Sequence, residues 1–97
     1  MLRHIVMVKF KDRDTVPRIS EKVKQMLVNL EETVESLKRM EVGININTRP
    51  AAFDVVLTAD FDNEEGLNKY RVHPGHVKVL DYLKEVVEKT AVVDYWV

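Results

Sequence analysis

Between Tyr70 and Val77 the chain reads Tyr-Arg-Val-His-Pro-Gly-His-Val, which brings a phenol and two of the three histidines into one short block. Proline fixes its own φ, fits a helix's first turn and pushes the preceding residue out of the α region. One helix is therefore expected to stop near Val72 and another to begin at Pro74, with His76 in its first turn. Helical steps from His76 reach Leu80, Leu83 and Val87, while Val79 and Val86 flank the stripe, so His76 is expected to face inward. There the helix dipole and partial burial both disfavour a second proton, and a neutral imidazole suits a general base. Tyr70 offers a phenol that can donate to a carbonyl oxygen. A sharp turn at Val72 and His73 lets the two side chains converge on one cleft; the alternative is that His76 caps backbone or bonds Tyr70 within a packed core.

The remaining candidates are weaker. His4 shares a strand phase with Val6, Val8 and Phe10. If that phase faces the helices, His4 reaches the same cleft; otherwise it is a strand-end histidine near solvent. His73, just before a proline, reads as a helix cap or a surface residue. No metal site is expected, because His73 and His76 straddle a helix boundary and spacing singles out no acidic third ligand. Glu31-Glu32 and Glu64-Glu65 are adjacent helical residues pointing about 100° apart, which makes them solvated faces rather than working pairs. With only three glycines and no phosphate-cradling loop, no cofactor is expected.

Composition narrows the class. Ninety-seven residues make one domain, spanning 1–97. Lys and Arg total 15 against 16 Asp and Glu, a net charge of −1 that does not suit a phosphate-backbone binder, so no nucleic-acid partner is expected. The absence of cysteine removes disulfides, thiolate catalysis and cysteine metal sites. The first apolar run is too short for a signal-peptide core or a membrane span, which gives the expectation of a cytoplasmic protein with no membrane partner.

The elements that must position these side chains follow from periodicity. Residues 2–11 read as a central strand, apolar in both phases. From Thr15 to about Lys38, Val16, Ile19, Val23, Met26, Leu27, Leu30, Val34 and Leu37 recur at helical spacing, with Thr15 as cap, Pro17 in the first turn and a break near 31–33. Residues 39–47 alternate as an edge strand, and residues 53–61 form a third strand antiparallel to it. Asp62 and Asn63 cap a short helix through Tyr70, the helix from Pro74 runs to Lys89, and residues 91–97 close the chain as a strand.

That order, β-α-β-β-α-β, gives an α+β domain: a four-stranded antiparallel sheet with helices on one face. The other sheet face carries apolar residues from three strands, and no further element is left to cover it. A second copy laid sheet against sheet covers it, so a homodimer is expected. Tyr95, Trp96 and Val97 read as dimer packing, and Lys9 as pairing with Asp54, Asp60 or Asp94 across the interface.

His4-Ile5-Val6-Met7-Val8-Lys9-Phe10-Lys11, the Tyr70…His73-Pro74-Gly75-His76 block and the closing Val92-Val93-Asp94-Tyr95 together resemble the stress-responsive A/B barrel (Dabb) family. The resemblance spans the whole chain and implies a ferredoxin-like protomer paired into a dimeric α/β barrel. One plant branch contains a polyketide cyclase; by position it implies Tyr70 and His76 as a catalytic acid/base pair, with His4 as a pocket neighbour. Two functions follow. One is a pocket for a small, largely apolar carbonyl compound, walled by residues such as His4, Val6, Phe10, Leu27 and Leu83. The other is a non-catalytic dimeric stress-response or interaction module, in which side chains such as Val6, Phe10, Leu27, Leu30 and Leu83 fill the space beside His76.

Overall fold

In the computed structural model, which describes residues 1–97, strand β1 (Leu2–Phe10) lies inside a four-stranded antiparallel sheet of order β2-β3-β1-β4. Its partners are β3 (Val55–Phe61) and β4 (Val87–Trp96), and β2 (Arg39–Ile44) forms the far edge, as its wet alternation predicts. The chain also forms a 3₁₀ turn (Arg13–Thr15) and helices α1 (Val16–Thr33), α2 (Glu64–Val72) and α3 (Pro74–Val86). No helix is long and apolar enough to cross a membrane.

Strand side chains alternate between faces, so cross-strand register sorts them. Leu2, Val8 and Phe10 of β1, Val55, Leu57, Ala59 and Phe61 of β3, and Met40 and Val42 of β2 all point to the helix side and are buried. Against them α1 sets Ile19, Val23, Leu27 and Leu30, the inward stripe read from spacing. This is the core. The helices cover β4 less fully: Thr90, Val92, Asp94 and Trp96, on its helix side, stay exposed.

Strands β2 and β3 are shorter than read, ending at Ile44 and beginning at Val55, and the helices differ from the sequence reading in three places. Helix α1 stops at Thr33, at the expected break and short of Lys38, because Val34 turns extended and its N–H closes the last helical bond to Leu30. Val34 and Leu37 are still buried, so apolar spacing continues through a turn that is not helical. Helix α3 ends at Val86, not Lys89, since residues 87–90 pair with β1 instead; Glu88 is the extra residue of a bulge opposite Lys9 and Phe10. Thr15 makes no side-chain cap, and Asp12 does that work one turn earlier by accepting from the Asp14 N–H.

Opposite the helices the sheet is open. Ile5, Met7, Val56, Ala91, Val93 and Tyr95 share this face, with Met7 and Val56 each 37% and Val93 56% exposed. Trp96 lies on the opposite side of the sheet, facing away from Tyr95, so the two do not pack on one sheet face. Lys9, expected to pair with an acid across the interface, finds its contacts within its own protomer. Its Nζ donates to the Pro50 carbonyl at 2.6 Å within the same protomer, because the acids proposed for it are already engaged. Arg13 holds Asp54 at 2.7 and 2.8 Å, Arg3 holds Asp60 at 2.9 and 3.1 Å, and Asp94 meets His4. Each Arg pair keeps its carboxyl below the usual range, chiefly through the guanidinium hydrogen bonds.

Candidate active site

The Tyr70–His76 block folds as two helix ends facing each other. Helix α2 begins at an Asn63 cap whose side chain accepts from the Gly66 N–H, and it buries Leu67 and Tyr70, three residues apart on one side. It stops at Val72, because His73, held extended before Pro74, cannot continue it. The His73 ring then caps α3 by accepting the Gly75 N–H at 3.0 Å, so His73 is structural. Gly75 matters for a steric reason: a Cβ there would come within 3.1 Å of Leu30, and its absence lets α3 start close against α1.

This turn brings Tyr70 and His76 together, with ring centroids 4.1 Å apart and planes at 36°. Phe61 supports the phenol ring from 5.1 Å. Nδ1 of His76 lies 3.2 Å from the Arg71 carbonyl, one of the acceptors left free where α2 ends. A carbonyl only accepts, so in neutral His76 the proton sits on Nδ1 and Nε2 keeps its lone pair. Burial is the largest influence on this imidazole and lowers its pKa; the Arg71 carbonyl opposes that shift, and the neighbouring His4, Arg71 and His73 reinforce it.

Tyr70 is the more constrained partner. The residue is 1% exposed, and its hydroxyl, with almost no exposed surface, has no hydrogen-bond partner. An unpaired buried hydroxyl costs about 1–3 kcal/mol. Burial alone raises its pKa, so the phenol stays protonated throughout the neutral range.

His4 is buried, and its ring meets Tyr70 edge-on at 6.4 Å between centroids. Its Nδ1 contacts the Asp94 carboxylate, which orients the ring. Sequence reasoning missed this role for Asp94. The signal was present: in β4, Asp94 shares the phase of Val92, and pairing with β1 sets it directly opposite His4.

A cavity of about 560 Å³ lies beside these rings, between α3 and the exposed helix-side surface of β4. His4, Val6, Leu27, Tyr70, His76 and Leu83 all line it. His76, Leu80 and Leu83 of the stripe read from helical spacing form the α3 wall, and Val87 and Val92 line the cavity from β4. Phe10 does not line it. That side chain is fully buried in the core, and its backbone N–H donates to Asp54 at 2.9 Å. The space beside His76 is thus open rather than filled by side chains. No three His, Cys, Asp or Glu side chains are grouped to hold a metal ion.

Comparison with known proteins agrees with this architecture. The model of the Stress Responsive A/B Barrel Domain matches residues 2–97. An uncharacterised protein of Streptomyces coelicolor is 34% identical over 79 residues, 78% of this chain and 79% of its own length. The olivetolic acid cyclase of Cannabis sativa is 26% identical over 96 residues, 97% of this chain and 94% of its own. Among solved structures, a dimeric protein of unknown function and ferredoxin-like fold from Bacteroides fragilis has a TM-score of 0.88 at 29% identity, covering 99% of this chain and 95% of that one. With both sequence and fold matched across essentially its whole length, this chain belongs to the stress-responsive A/B barrel domain family.

Proposed function

We propose that this protein is a homodimer whose protomers each bind a small, largely apolar carbonyl compound beside Tyr70 and His76 and move a proton on it. The observation that carries this reading is the unpaired Tyr70 hydroxyl, buried next to an imidazole that lines an apolar cavity of about 560 Å³. A ligand oxygen is the kind of group that satisfies such a hydroxyl, and cavities of this size hold small molecules. A relative of nearly equal length is a cyclase, which supports the reaction class.

The chemistry follows from the two side chains. His76 Nε2 takes a proton from the carbon beside the carbonyl, and the C–H electron pair moves to form the enolate. The Tyr70 hydroxyl donates to the oxygen where negative charge develops. The Arg71 carbonyl, already bonded to Nδ1–H, stabilises the imidazolium formed. Returning the proton to that oxygen gives the enol; alternatively the enolate carbon attacks a second carbonyl of the same ligand, its C=O π pair becomes an alkoxide, and the alkoxide takes the proton back from His76.

Dimerisation is supported by the open sheet face, with Ile5, Met7, Val56, Val93 and Tyr95 on one apolar surface, and by a structural relative that is itself dimeric.

The test uses nonane-2,4-dione in deuterated buffer near pH 6, with loss of the C3 proton signals followed by NMR. Exchange faster than buffer alone, and proportional to protein, is expected. Exchange at the buffer rate, with no protein resonance moved by the dione, overturns the proposal.

A further inference from the structure

We infer that the cavity selects an anionic ligand, a carbonyl compound that also carries a carboxylate, and that Arg71 is the residue that selects it. This rests on the small-molecule reading of the cavity. Only two charged residues line the cavity, Arg71 and Lys84, and both are cationic. No Asp or Glu lines it. Asp94 stands behind this wall with its carboxylate on His4.

The Arg71 guanidinium is only loosely held, at the edge of a second cleft that it lines with Glu64, Asn68 and Asp94. Its side-chain partners are Asn68 at 3.4 Å and Asp94 at 3.7 Å, whereas Arg3 and Arg13 hold their carboxylates at 2.7–3.1 Å. Half of the side chain is exposed, so a ligand can reach it. A guanidinium fork matches the two oxygens of a carboxylate, and one held this loosely can exchange its long contacts for closer ones.

Position separates the two cations. Arg71 directly follows Tyr70, and its own carbonyl holds His76, so a carboxylate on its fork leaves the adjoining carbons close to both rings. Lys84 is eight residues beyond His76 on α3, about 12 Å at 1.5 Å per residue. It is also 79% exposed and lies 3.8 Å from Asp81. A short oxo acid held at Lys84 leaves its carbonyl remote from the imidazole. Held at Arg71, it does not.

The test compares octanoate with octan-1-ol, which share chain length and differ in charge, by NMR titration of the whole protein at pH 7. The wild type is expected to bind octanoate about tenfold more tightly, the scale of one charge-assisted hydrogen-bonded pair. Arg71→Gln is expected to bring the ratio close to one by weakening octanoate alone, its unchanged octan-1-ol binding showing that the cavity is intact. Lys84→Gln is expected to keep the preference. Equal binding of the two probes by the wild type overturns the inference, as does a preference that survives Arg71→Gln or is lost in Lys84→Gln. In each of those cases octan-1-ol still binds and the cavity reading stands; if neither probe moves a cavity resonance, the cavity reading falls as well.

Discussion

His76→Ala is expected to slow catalysed exchange of the dione's C3 protons by about 10²- to 10⁴-fold, the usual contribution of a positioned general base. Because burial lowers the pKa of this histidine, the wild-type rate should rise with pH and level off with a midpoint below the ordinary 6.5. The same shift has a stability signature. The unfolded chain takes up this proton near 6.5 and the native chain only at lower pH, so acidification between those points favours unfolding. Stability from this group is complete above 6.5 and declines as the pH falls toward the folded pKa. Urea unfolding at stepped pH should show that slope in the wild type and lack it in His76→Ala. Tyr70→Phe is expected to lower the rate too, without loss of stability, because the hydroxyl it removes makes no hydrogen bond.

Met7→Asp is expected to take the dimer apart. Met7 sits mid-strand on the open sheet face between Val56 on β3 and Ala91 on β4. Closing two such faces on each other buries the new carboxylate without a cation, at a cost of about 3 kcal/mol or more, which raises the dimer Kd by at least about 10²-fold. At micromolar concentration, sedimentation should give twice 11.3 kDa for the wild type and 11.3 kDa for the variant. A wild-type monomer, or a variant as dimeric as its parent, contradicts the sheet-to-sheet arrangement.

Much of this geometry is legible in the sequence, because it depends on local rules. Pro74 sets the start of α3, and helical spacing then commits His76, Leu80 and Leu83 to one stripe. Alternation places His4 and Val6 on the helix side of β1. Misreadings occur where a tertiary contact outweighs local preference. The apolar spacing at Val34 and Leu37 imitates a helix, though both are buried from a turn. Residues 87–89 continue an apolar helical pattern but give way to pairing with β1.

Side-chain partners were harder to read, since they depend on register and competition. Lys9 has three acids within plausible reach on paper, and each has a closer partner of its own. Phe10 shares a strand phase with His4 and Val6, yet lies beyond the end of the cavity, within the core under α1. Alternation gives the face and not the distance along it. The Asp94–His4 contact was recoverable from phase once β4 is paired with β1, whereas the 3.2 Å link from His76 to the Arg71 carbonyl needs the angle between two helix ends.

Nitrogen-15 NMR of the histidine rings, followed through pH with and without nonane-2,4-dione, interrogates the paired phenol and imidazole most directly. His76 should appear as the Nδ1–H tautomer, titrate below 6.5 and shift when the dione is added, with the shift much reduced in Tyr70→Phe. An imidazole that titrates at 6.5, exchanges freely between tautomers and ignores the dione contradicts a shared site for these two side chains.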